Sequence, residues 1–397
     1  MASTQSEAEI QSQVLRSLEG TPFAATSLVP LSGGTANFIY LADLAQPLDD
    51  GVRRVRVKHG EGFLASNPGF QLSTSRCHIE DVCLQAFSSS SIGAPTAPSD
   101  DGYRYVVRTP KHYPFPQDPN TQIQEYLPNG TNLKAYALKY WSSSSSTSSP
   151  AGGESKTDVQ RTQAHQLGLS LGRWLRDFHD SSELHREELR SAVASNGVMQ
   201  SLKHTINFQW LLDRVAQFPD ILTEAVPVFK EVKEMAAAEL RDASRLQVIH
   251  GDFWTGNHSL TVINSILLPN TAPTPQPPNP ALGAPNLDLG QMLAEMYELW
   301  LYKQQRAGLW MMAGFVAGYG PVAASEAFAL RTAVQLGPHL VCFGTSVHGW
   351  GAPEQVREVA RAGRDILCHA WRRDRAWFEE GKRKDELACL FSTVKRG

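Results

Sequence analysis

The sequence lacks the features that mark membrane, secreted and nucleic-acid-binding proteins. No run of about 18 apolar residues occurs, so no transmembrane helix is predicted. Residues 1–9 are polar and acidic, without the basic flank and apolar core of a secretory signal. The formal net charge is only -3 over 397 residues, which supplies no overall positive field for nucleic acid or anionic lipid. We therefore expect neither a membrane nor a nucleic acid as a partner.

The sequence also has few motifs that indicate disulfide cross-links or metal binding. The five cysteines are odd in number and form no C-x-x-C pair, which argues against a disulfide framework and a thiolate zinc site. A reducing, cytoplasmic compartment fits this cysteine usage best. The 12 histidines include no H-E-x-x-H pair, so zinc-hydrolase chemistry is disfavoured as well.

The composition that remains is ordinary for a globular protein, 42% hydrophobic and 19% charged, but its periodicity changes along the chain. The first third has strand-like alternation, whereas apolar residues beyond residue 155 recur at helical spacing. We expect an α+β protein with a β-rich lobe over residues 1–127 and a mainly helical lobe over residues 128–397. Strands are predicted over 38–44, 52–58, 103–108, 121–126 and 246–249, and helices around 167–178, 289–300 and 354–371. Residues 142–153 are predicted to be a flexible loop, and the proline-rich residues 269–285 to be extended or irregular.

The most informative motif is the segment HGDFWTGN at residues 250–257, directly after a predicted strand. Its spacing is His-x-Asp-x4-Asn. In a phosphoryl-transfer loop the Asp accepts or orients the proton of the attacking hydroxyl, and the Asn reaches a magnesium ion on the nucleotide phosphates. Asp252 and Asn257 are candidates for these roles, with His250 in the same loop. The alternative is an Asx turn that happens to contain a histidine.

Weaker signals precede this loop in the order that a kinase requires. Gly33 and Gly34 lie in a turn whose N–H groups could approach phosphates, although a plain hairpin turn has the same composition. Lys58 ends a predicted strand, where its ammonium could neutralise phosphate charge. Glu80 follows on a predicted helix and could hold the lysine in place, and Asp81 is an equal candidate for that contact.

Together these motifs resemble those of the aminoglycoside phosphotransferase and choline kinase-like enzymes, most closely a fungal branch alongside methylthioribose kinase and hydroxytryptamine kinase-like proteins. The resemblance spans about residues 25–375, and the loop at 250–257 is its most specific part. The matching segments are LSGG at 31–34 with Asn37, VKH at 57–59, Arg76 with Glu80, QEY at 124–126, the loop itself, LDLGQ at 287–291, and WG at 350–351.

The resemblance implies a bilobal protein-kinase-like fold. It also implies an enzyme that transfers the γ-phosphate of ATP to a hydroxyl of a small molecule. ATP and Mg²⁺ would be its cofactors. The implied roles are Asp252 as catalytic base beside His250, Asn257 as metal ligand, Lys58 and Glu80 as the phosphate-binding pair, Gly33 and Gly34 near the phosphates, and Gln124, Glu125 and Tyr126 along the adenine.

One carboxylate that the resemblance requires is missing. A strand after the catalytic loop should end in an Asp that holds magnesium, but no Asp or Glu occurs between residues 258 and 287. Asp288, the next acid, is predicted to cap the following helix, with Gln291 completing a pattern like a capping box. Asn257 alone is neutral, so we expect weak binding of Mg²⁺ and ATP if the sequence is complete.

Three explanations of the missing acid stay open. A coding segment has been lost from the sequence, or the chain is a pseudokinase that binds without catalysis, or the pocket serves other chemistry in secondary metabolism with Asp252 kept as an acid or base. The substrate is equally open. Glu295, Glu298 and Asp365 are candidates for an acidic wall that would suit an amine, and Trp350 is a candidate for an aromatic wall.

Overall fold

The computed structural model describes residues 6–31, 36–88, 104–105, 107–128, 130–141, 156–184, 186–194, 196–262, 270–275, 281–320, 325–346 and 349–394. Strands dominate before residue 128 and helices after it, so the predicted α+β class, β-rich and then mainly helical, is confirmed. The described residues form two compact units. The first contains 6–31, 36–88 and 109–128, and the second contains 104–105, 107–108 and the described residues from 130 onwards.

The strands follow the sequence pattern closely. In chain order they are β1 Ala25–Pro30, β2 Phe38–Leu44, β3 Arg54–His59, β4 Phe63–Leu64, β5 Asn67–Gln71, β6 Arg104–Tyr105, β7 His112–Tyr113, β8 Thr121–Glu125, β9 Thr131–Asn132, β10 Gln247–Ile249, β11 His258–Val262, β12 Asn270–Pro275 and β13 Ala281–Gly283. The strand predicted at 38–44 is reproduced, and those at 52–58, 121–126 and 246–249 shift by one or two residues. The strand predicted at 103–108 shrinks to two described residues.

The helices account for most of the second unit. In chain order they are α1 Glu7–Leu18, α2 Ser75–Ser88, α3 Leu133–Tyr140, α4 Lys156–Leu184, α5 Arg186–Ala194, α6 Gly197–His204, α7 Trp210–Asp213, α8 Pro219–Leu222, α9 Val226–Arg241, α10 Asn286–Lys303, α11 Arg306–Tyr319, α12 Glu326–His339, α13 Pro353–Trp371, α14 Arg375–Glu379 and α15 Lys384–Leu387. The three predicted helical stretches fall in α4, α10 and α13. None of the helices that the structure describes combines the length and apolarity needed to cross a bilayer.

The first unit is built on an antiparallel sheet with the order β1-β2-β3-β8-β7. One face of this sheet is apolar because alternate residues of a strand share a face. Val55 and Val57 of β3 join Tyr40 of β2 and Ile123 of β8 in a buried cluster with Val14 of α1. The opposite face therefore presents the intervening residues of the same strands, and these are largely polar.

That polar face includes Lys58. In the registered pairs of β3 with β8, Arg56 lies opposite Gln124 and Lys58 lies opposite Gln122. Cross-strand partners project from the same face of a sheet. Two cations and two amides thus line the side of the sheet that does not pack against α1.

Close helix packing shapes the second unit. Glycines on α4 let its backbone approach α11, since a Cβ at Gly168 would lie 2.1 Å from the carbonyl oxygen of Met311 and one at Gly172 would lie 2.1 Å from that of Phe315. No side chain fits at such a distance. The contact fixes the position of α4, which carries His179 into the centre of this unit.

The described part of the proline-rich segment is extended, which is one of the two alternatives predicted for it. Asn270–Pro275 pairs with His258–Val262 in an antiparallel ladder, within a sheet of order β6-β12-β11-β9. The non-proline residues of β12 retain their N–H groups, so this proline-containing segment still pairs with β11 on one side and with β6 on the other. Farther along the chain, the strand Ala281–Gly283 pairs with Gln247–Ile249. Pro285 directly precedes the first residue of α10.

Candidate active site

The loop at 250–257 emerges from β10 and turns sharply. Gly251 adopts a φ of +78°, a left-handed conformation that glycine accepts without strain. The loop closes with a single 3-10 turn at Thr255–Asn257. Asp252 is half-buried, so its carboxylate is accessible to a bound molecule while its backbone is held within the second unit.

Asp288 anchors this loop and does not cap α10, which corrects the prediction made from the sequence. Its carboxylate accepts the N–H of His250 at 2.7 Å and that of Gly251 at 2.8 Å. His179 Nε2 lies 3.1 Å from the same carboxylate. Pro285 occupies the N-cap position and makes no side-chain cap. The capping pattern does not hold because the tertiary partners of Asp288 lie in the loop after β10 and on α4.

The charge state of Asp288 follows from these contacts. Burial opposes its ionisation, but the hydrogen bond and charge interaction with His179, with the N–H of Gly251, outweigh burial and lower the pKa of the carboxyl group. The ionised carboxylate can only accept, so His179 donates to it through Nε2, and its Nδ1 lies 2.9 Å from the hydroxyl oxygen of Tyr319. The loop is thus held by a buried, fully used anion.

Asp252 and His250 contact each other within the loop. The N–H of Asp252 donates to His250 Nδ1 at 3.3 Å, and the His250 ring is buried against Trp174 and Phe253. Gln291 Nε2 donates to Asp252 Oδ1 at 3.4 Å. The buried ring of His250 therefore supports the loop from the protein interior. The carboxylate of Asp252 faces the N-terminal part of α10.

Lys203 is a second group close to Asp252, and no sequence motif pointed to it. It lines a pocket together with apolar residues such as Ile249 and Leu287. Burial lowers the pKa of Lys203, although the carboxylates of Asp252 and Asp288 oppose that shift. The candidate base thus has an amine within electrostatic range.

The metal-binding part of the predicted site is only partly described. Asn257 lies in the 3-10 turn that closes the loop, and its side chain lies outside the described residues. The strands described between the loop and α10 are β11, β12 and β13, and none of them carries an Asp or Glu.

In the first unit, Lys58 and Glu80 form a close ion pair. The distance from Lys58 Nζ to Glu80 Oε1 is 2.5 Å, and the two side chains are 11% and 6% exposed. Asp81, the competing candidate, lies instead 2.8 Å from His112 Nε2. Helix α2 selects Glu80 because adjacent helical residues point about 100° apart and only one of them can face β3.

Arg56 adds a second cation to the face that carries Lys58. Its guanidinium makes no hydrogen bond or ion pair with any residue that the structure describes, and burial lowers its pKa despite the nearby charge of Glu80. With Glu80 neutralising Lys58, this face carries an excess positive charge. Such a face suits an anionic group, including a phosphate.

The remaining nucleotide-contact predictions fall on both described and undescribed residues. Gly33 and Gly34 lie outside the described residues. The end of their turn is held by Arg76, which donates to the carbonyl of Ala36 at 3.2 Å and to Asn37 Oδ1 at 3.1 Å.

The segment at 124–126 continues from β8. Gln124 is buried and donates to Gln122 Oε1 at 3.2 Å. Glu125 pairs with Lys111 through its backbone N–H at 2.8 Å and through its carboxylate, which accepts the Lys111 N–H at 3.1 Å. Tyr126 is half-buried. Gln124 shares the face of Lys58, whereas the role of all three along an adenine stays a prediction.

The predicted acidic wall separates into two parts. Glu295 and Glu298 lie together on α10 with Lys134 between their carboxylates, at 3.0 Å and 3.6 Å. Asp365 instead pairs with Arg364 at 2.6 Å on α13. Glu295 also accepts from the hydroxyl of Thr255 at 3.3 Å, which connects the pair of glutamates to the catalytic loop.

These two glutamates differ in charge. Burial raises the pKa of Glu298 well above its ordinary value, with the charge of Glu295 acting in the same direction and Lys134 against it. Burial also opposes ionisation of Glu295, but His339 and Lys134 outweigh it and lower the pKa of that carboxyl to about 2. Glu295 is therefore the more acidic group of the pair, and Glu298 the group that gives up its proton at higher pH.

A comparison with known proteins identifies a relative of this chain. No protein-family model matches the sequence. The phosphotransferase FrzJ of Cladobotryum sp is 26% identical, over an alignment that covers 94% of this chain and 96% of the relative. The resemblance to phosphotransferases inferred from the motifs is thereby confirmed.

Solved structures with a similar fold include three kinds of kinase. Aminoglycoside 2'-phosphotransferase-IIIa in a GDP complex is 13% identical with a TM-score of 0.44, covering 93% of this chain and 100% of that one. An ethanolamine kinase of Plasmodium vivax is 11% identical with a TM-score of 0.44, covering 87% and 82%. A microcompartment-associated aminopropanol kinase is 15% identical with a TM-score of 0.40, covering 94% and 99%. At these values no functional argument rests on the structural neighbours.

Proposed function

We propose that the protein is a small-molecule phosphotransferase that moves the γ-phosphate of ATP to a hydroxyl group, with Asp252 as the base. The observation that carries the proposal is the construction of the loop. Asp288 fixes the backbone on the N-terminal side of Asp252 by two hydrogen bonds, and Gln291 contacts its carboxylate. A pre-positioned carboxylate in a His-x-Asp-x4-Asn loop suits proton abstraction from an acceptor hydroxyl.

The chemistry assigned to the chain is a direct displacement. The acceptor oxygen attacks the γ-phosphorus, the bond to the ADP oxygen breaks, and the acceptor proton passes to Asp252. Lys58, held by Glu80 at 2.5 Å, would neutralise phosphate charge, and Arg56 on the same strand face would add a second cation. Adenine contacts by Gln124 to Tyr126 are part of the same proposal.

The donor set does not fit a tightly held magnesium ion. Mg²⁺ is bound through carboxylates together with substrate phosphates, and residues 253–287 contain no carboxylate. Asp288, the first acid after them, uses its oxygens on the loop backbone and His179. Magnesium would therefore enter with the nucleotide, with the amide of Asn257 as its ligand from this chain, and no step here depends on it.

A pseudokinase is the second candidate function, and the missing carboxylate favours it. Loss of a group that stabilises transition-state charge costs orders of magnitude in rate, while Lys58 and Arg56 could still bind an anionic nucleotide. Binding without turnover is the property that separates this candidate from an active phosphotransferase.

Two measurements on the full chain separate the candidates. Calorimetry with ATP, in the presence and absence of magnesium, reports binding, and we expect magnesium to change the affinity little. ATP hydrolysis, with water as the acceptor, reports turnover. We expect Asp252→Asn to lower hydrolysis by about 10²-fold or more and Asp385→Asn, at an exposed aspartate, to leave it unchanged.

The outcomes are distinct. ATP binding with no hydrolysis by the unmodified protein would support the pseudokinase. Hydrolysis that survives Asp252→Asn would refute Asp252 as the base. Tight binding that requires magnesium would show that an acid other than those considered completes the metal site.

A further inference from the structure

A buried group of metal-ligating side chains lies on the helices behind the catalytic loop. Glu295 and Glu298 are three residues apart on α10 and share one helix face, and His339 ends α12. One ligand atom from each residue lies within 4.8 Å of the other two. The side chains of these residues are at most 8% exposed.

The carboxylate of Glu298 is the unexplained member of this group. Its side chain is 0% exposed, and neither oxygen has a hydrogen-bond partner among the residues that the structure describes. Its charged neighbours are the carboxylate of Glu295 and the ammonium of Lys134, the latter 3.6 Å away. A buried carboxylate without donors is costly, so its retention in this position calls for a ligand.

Described residues pack closely around the carboxylate of Glu298. Gly344 lies against the carboxylate from the side of the π-helical segment that follows α12, where a Cβ would be 2.9 Å from Glu298 Oε1. On the other side, Glu295 binds His339 Nε2 at 3.2 Å through one oxygen and Lys134 at 3.0 Å through the other. Glu298 is therefore aimed at the space that Glu295, His339 and Lys134 enclose.

We propose that Glu295, Glu298 and His339 bind a divalent transition-metal ion, and that the Lys134 ammonium stands in for the ion when the metal is absent. Two carboxylates and one imidazole are a typical donor set for Zn²⁺ or Mn²⁺, whereas imidazole disfavours Mg²⁺ and Ca²⁺. Ligand atoms around such an ion lie about 3 to 4 Å apart, so a contraction of at most about 2 Å would close the site.

Lys134 can leave this position without losing its other contact. Its ammonium also lies 3.8 Å from the ring centroid of Trp350, and its side chain is 13% exposed. The contact is a cation–π interaction. The flexible four-carbon stem of lysine lets the ammonium change its position. Entry of the metal therefore requires the ammonium to move toward solvent over the indole, and Glu298 then gains its missing partner.

The proposed metal site is separate from the place of a nucleotide-bound magnesium ion. It is connected to the catalytic loop through residues of α10. Glu295 contacts Thr255 at 3.3 Å, and Gln291, one helical turn earlier on α10, contacts Asp252 at 3.4 Å. A metal here would connect α10, α12 and the loop from behind. Its existence does not depend on the proposed phosphotransfer.

The test is calorimetry of the full chain, freed of metal by a chelator, with ZnCl₂, MnCl₂ and MgCl₂. We expect one zinc ion and one manganese ion to bind, and magnesium to bind far more weakly. Glu298→Gln should weaken both transition metals by about 100-fold, because it removes a ligand charge and keeps the shape. Glu234→Gln, at an exposed glutamate, is the matched control and should change nothing.

A second variant tests the role assigned to the lysine. Lys134→Met removes the competing ammonium but keeps a side chain of similar length, so it should tighten metal binding by about 10-fold or more. Lys230→Met, at an exposed lysine, is its control. His339→Asn should weaken zinc binding and provides a further ligand test if Lys134→Met does not fold.

The proposal is overturned by either of two results. If neither the unmodified chain nor Lys134→Met binds manganese or zinc, the group is a buried ion-pair network and nothing more. If zinc and manganese bind but Glu298→Gln and His339→Asn bind them with unchanged affinity, the ion occupies another place. Manganese is the stricter probe, because cysteine thiolates compete for zinc but not for manganese.

Discussion

Two buried carboxylates on the same helix, Asp288 at the start of α10 and Glu298 two to three turns later, meet opposite conditions. Asp288 accepts two backbone N–H groups and a histidine. Glu298 accepts no hydrogen bond at all. The pKa of Asp288 is lowered and that of Glu298 is raised. The contrast shows that donors, and not burial, decide whether an acid inside a protein is an anchor or an unfilled site.

The largest expected effect comes from removing the anchor. Asp288→Ala leaves the N–H groups of His250 and Gly251 without an acceptor, and we expect the free energy of unfolding to fall by about 3 to 5 kcal/mol. Urea denaturation measures it. Asp365→Ala is the control, since Asp365 pairs with Arg364 at a part-exposed position and should cost less than about 1 kcal/mol. Equal losses of unfolding free energy in Asp288→Ala and Asp365→Ala would contradict the role of Asp288 as the anchor.

The next largest expected effect is a difference in the free energy of unfolding between variants of Glu295 and Glu298. Glu295→Gln removes the charge that Lys134 and His339 face, and we expect a loss of about 1 to 3 kcal/mol. Glu298→Gln removes no hydrogen bond, so in the metal-free protein it should change the free energy of unfolding by less than about 1 kcal/mol or stabilise the chain. Chemical denaturation of both variants in chelator decides the order. A larger loss for Glu298→Gln would contradict the assignment.

The pH dependence sharpens the same comparison. The folded-state pKa of Glu298 is raised above its unfolded value of 4.5, so the folded state binds the proton more tightly and stability falls as pH rises from about 4.5 upward. Glu298→Gln cannot titrate. We therefore expect its stability relative to the unmodified chain to increase with pH in metal-free buffer. A difference independent of pH would show that Glu298 is ionised throughout.

The smallest effect lies in the first unit, where a buried histidine has the partners that Glu298 lacks. His59 contacts Thr121 at 2.8 Å, Glu61 at 3.1 Å and Asp118 at 3.5 Å. Burial lowers the pKa of His59, but Asp118 and Glu61 outweigh it and raise the pKa above 6.5. The stabilisation is fully present below about pH 6.5 and lost as pH rises through the folded-state value.

We expect His59→Gln to remove this dependence, which should amount to about 1 kcal/mol. Denaturation of both proteins at several pH values between 5 and 9 measures it. The unmodified chain should lose its advantage over the variant with rising pH. An advantage that grows with pH would mean that His59 is held neutral in the folded protein.

Much of the fold could be predicted because it follows from local pattern. Alternation at Val55 and Val57 produces a strand with one apolar face, and the helical spacing of apolar residues produces α4, α10 and α13. The spacing of the motif at 250–257 places Asp252 on a loop after a strand. The ion pair of Lys58 with Glu80 was one of two open choices, because charge alone does not distinguish Glu80 from Asp81.

The sequence by itself determined the α+β class, the loop and the absence of an acid before Asp288, because these depend on neighbouring residues and on composition. Only the tertiary structure decided that Asp288 holds the loop, that Glu80 faces Lys58, and that Lys134 and His339 meet Glu295 and Glu298. The hydrogen bonds among these contacts join residues between 22 and 161 positions apart. No local pattern encodes them, since the packing of α4, α10 and α12 sets which side chains share a buried space.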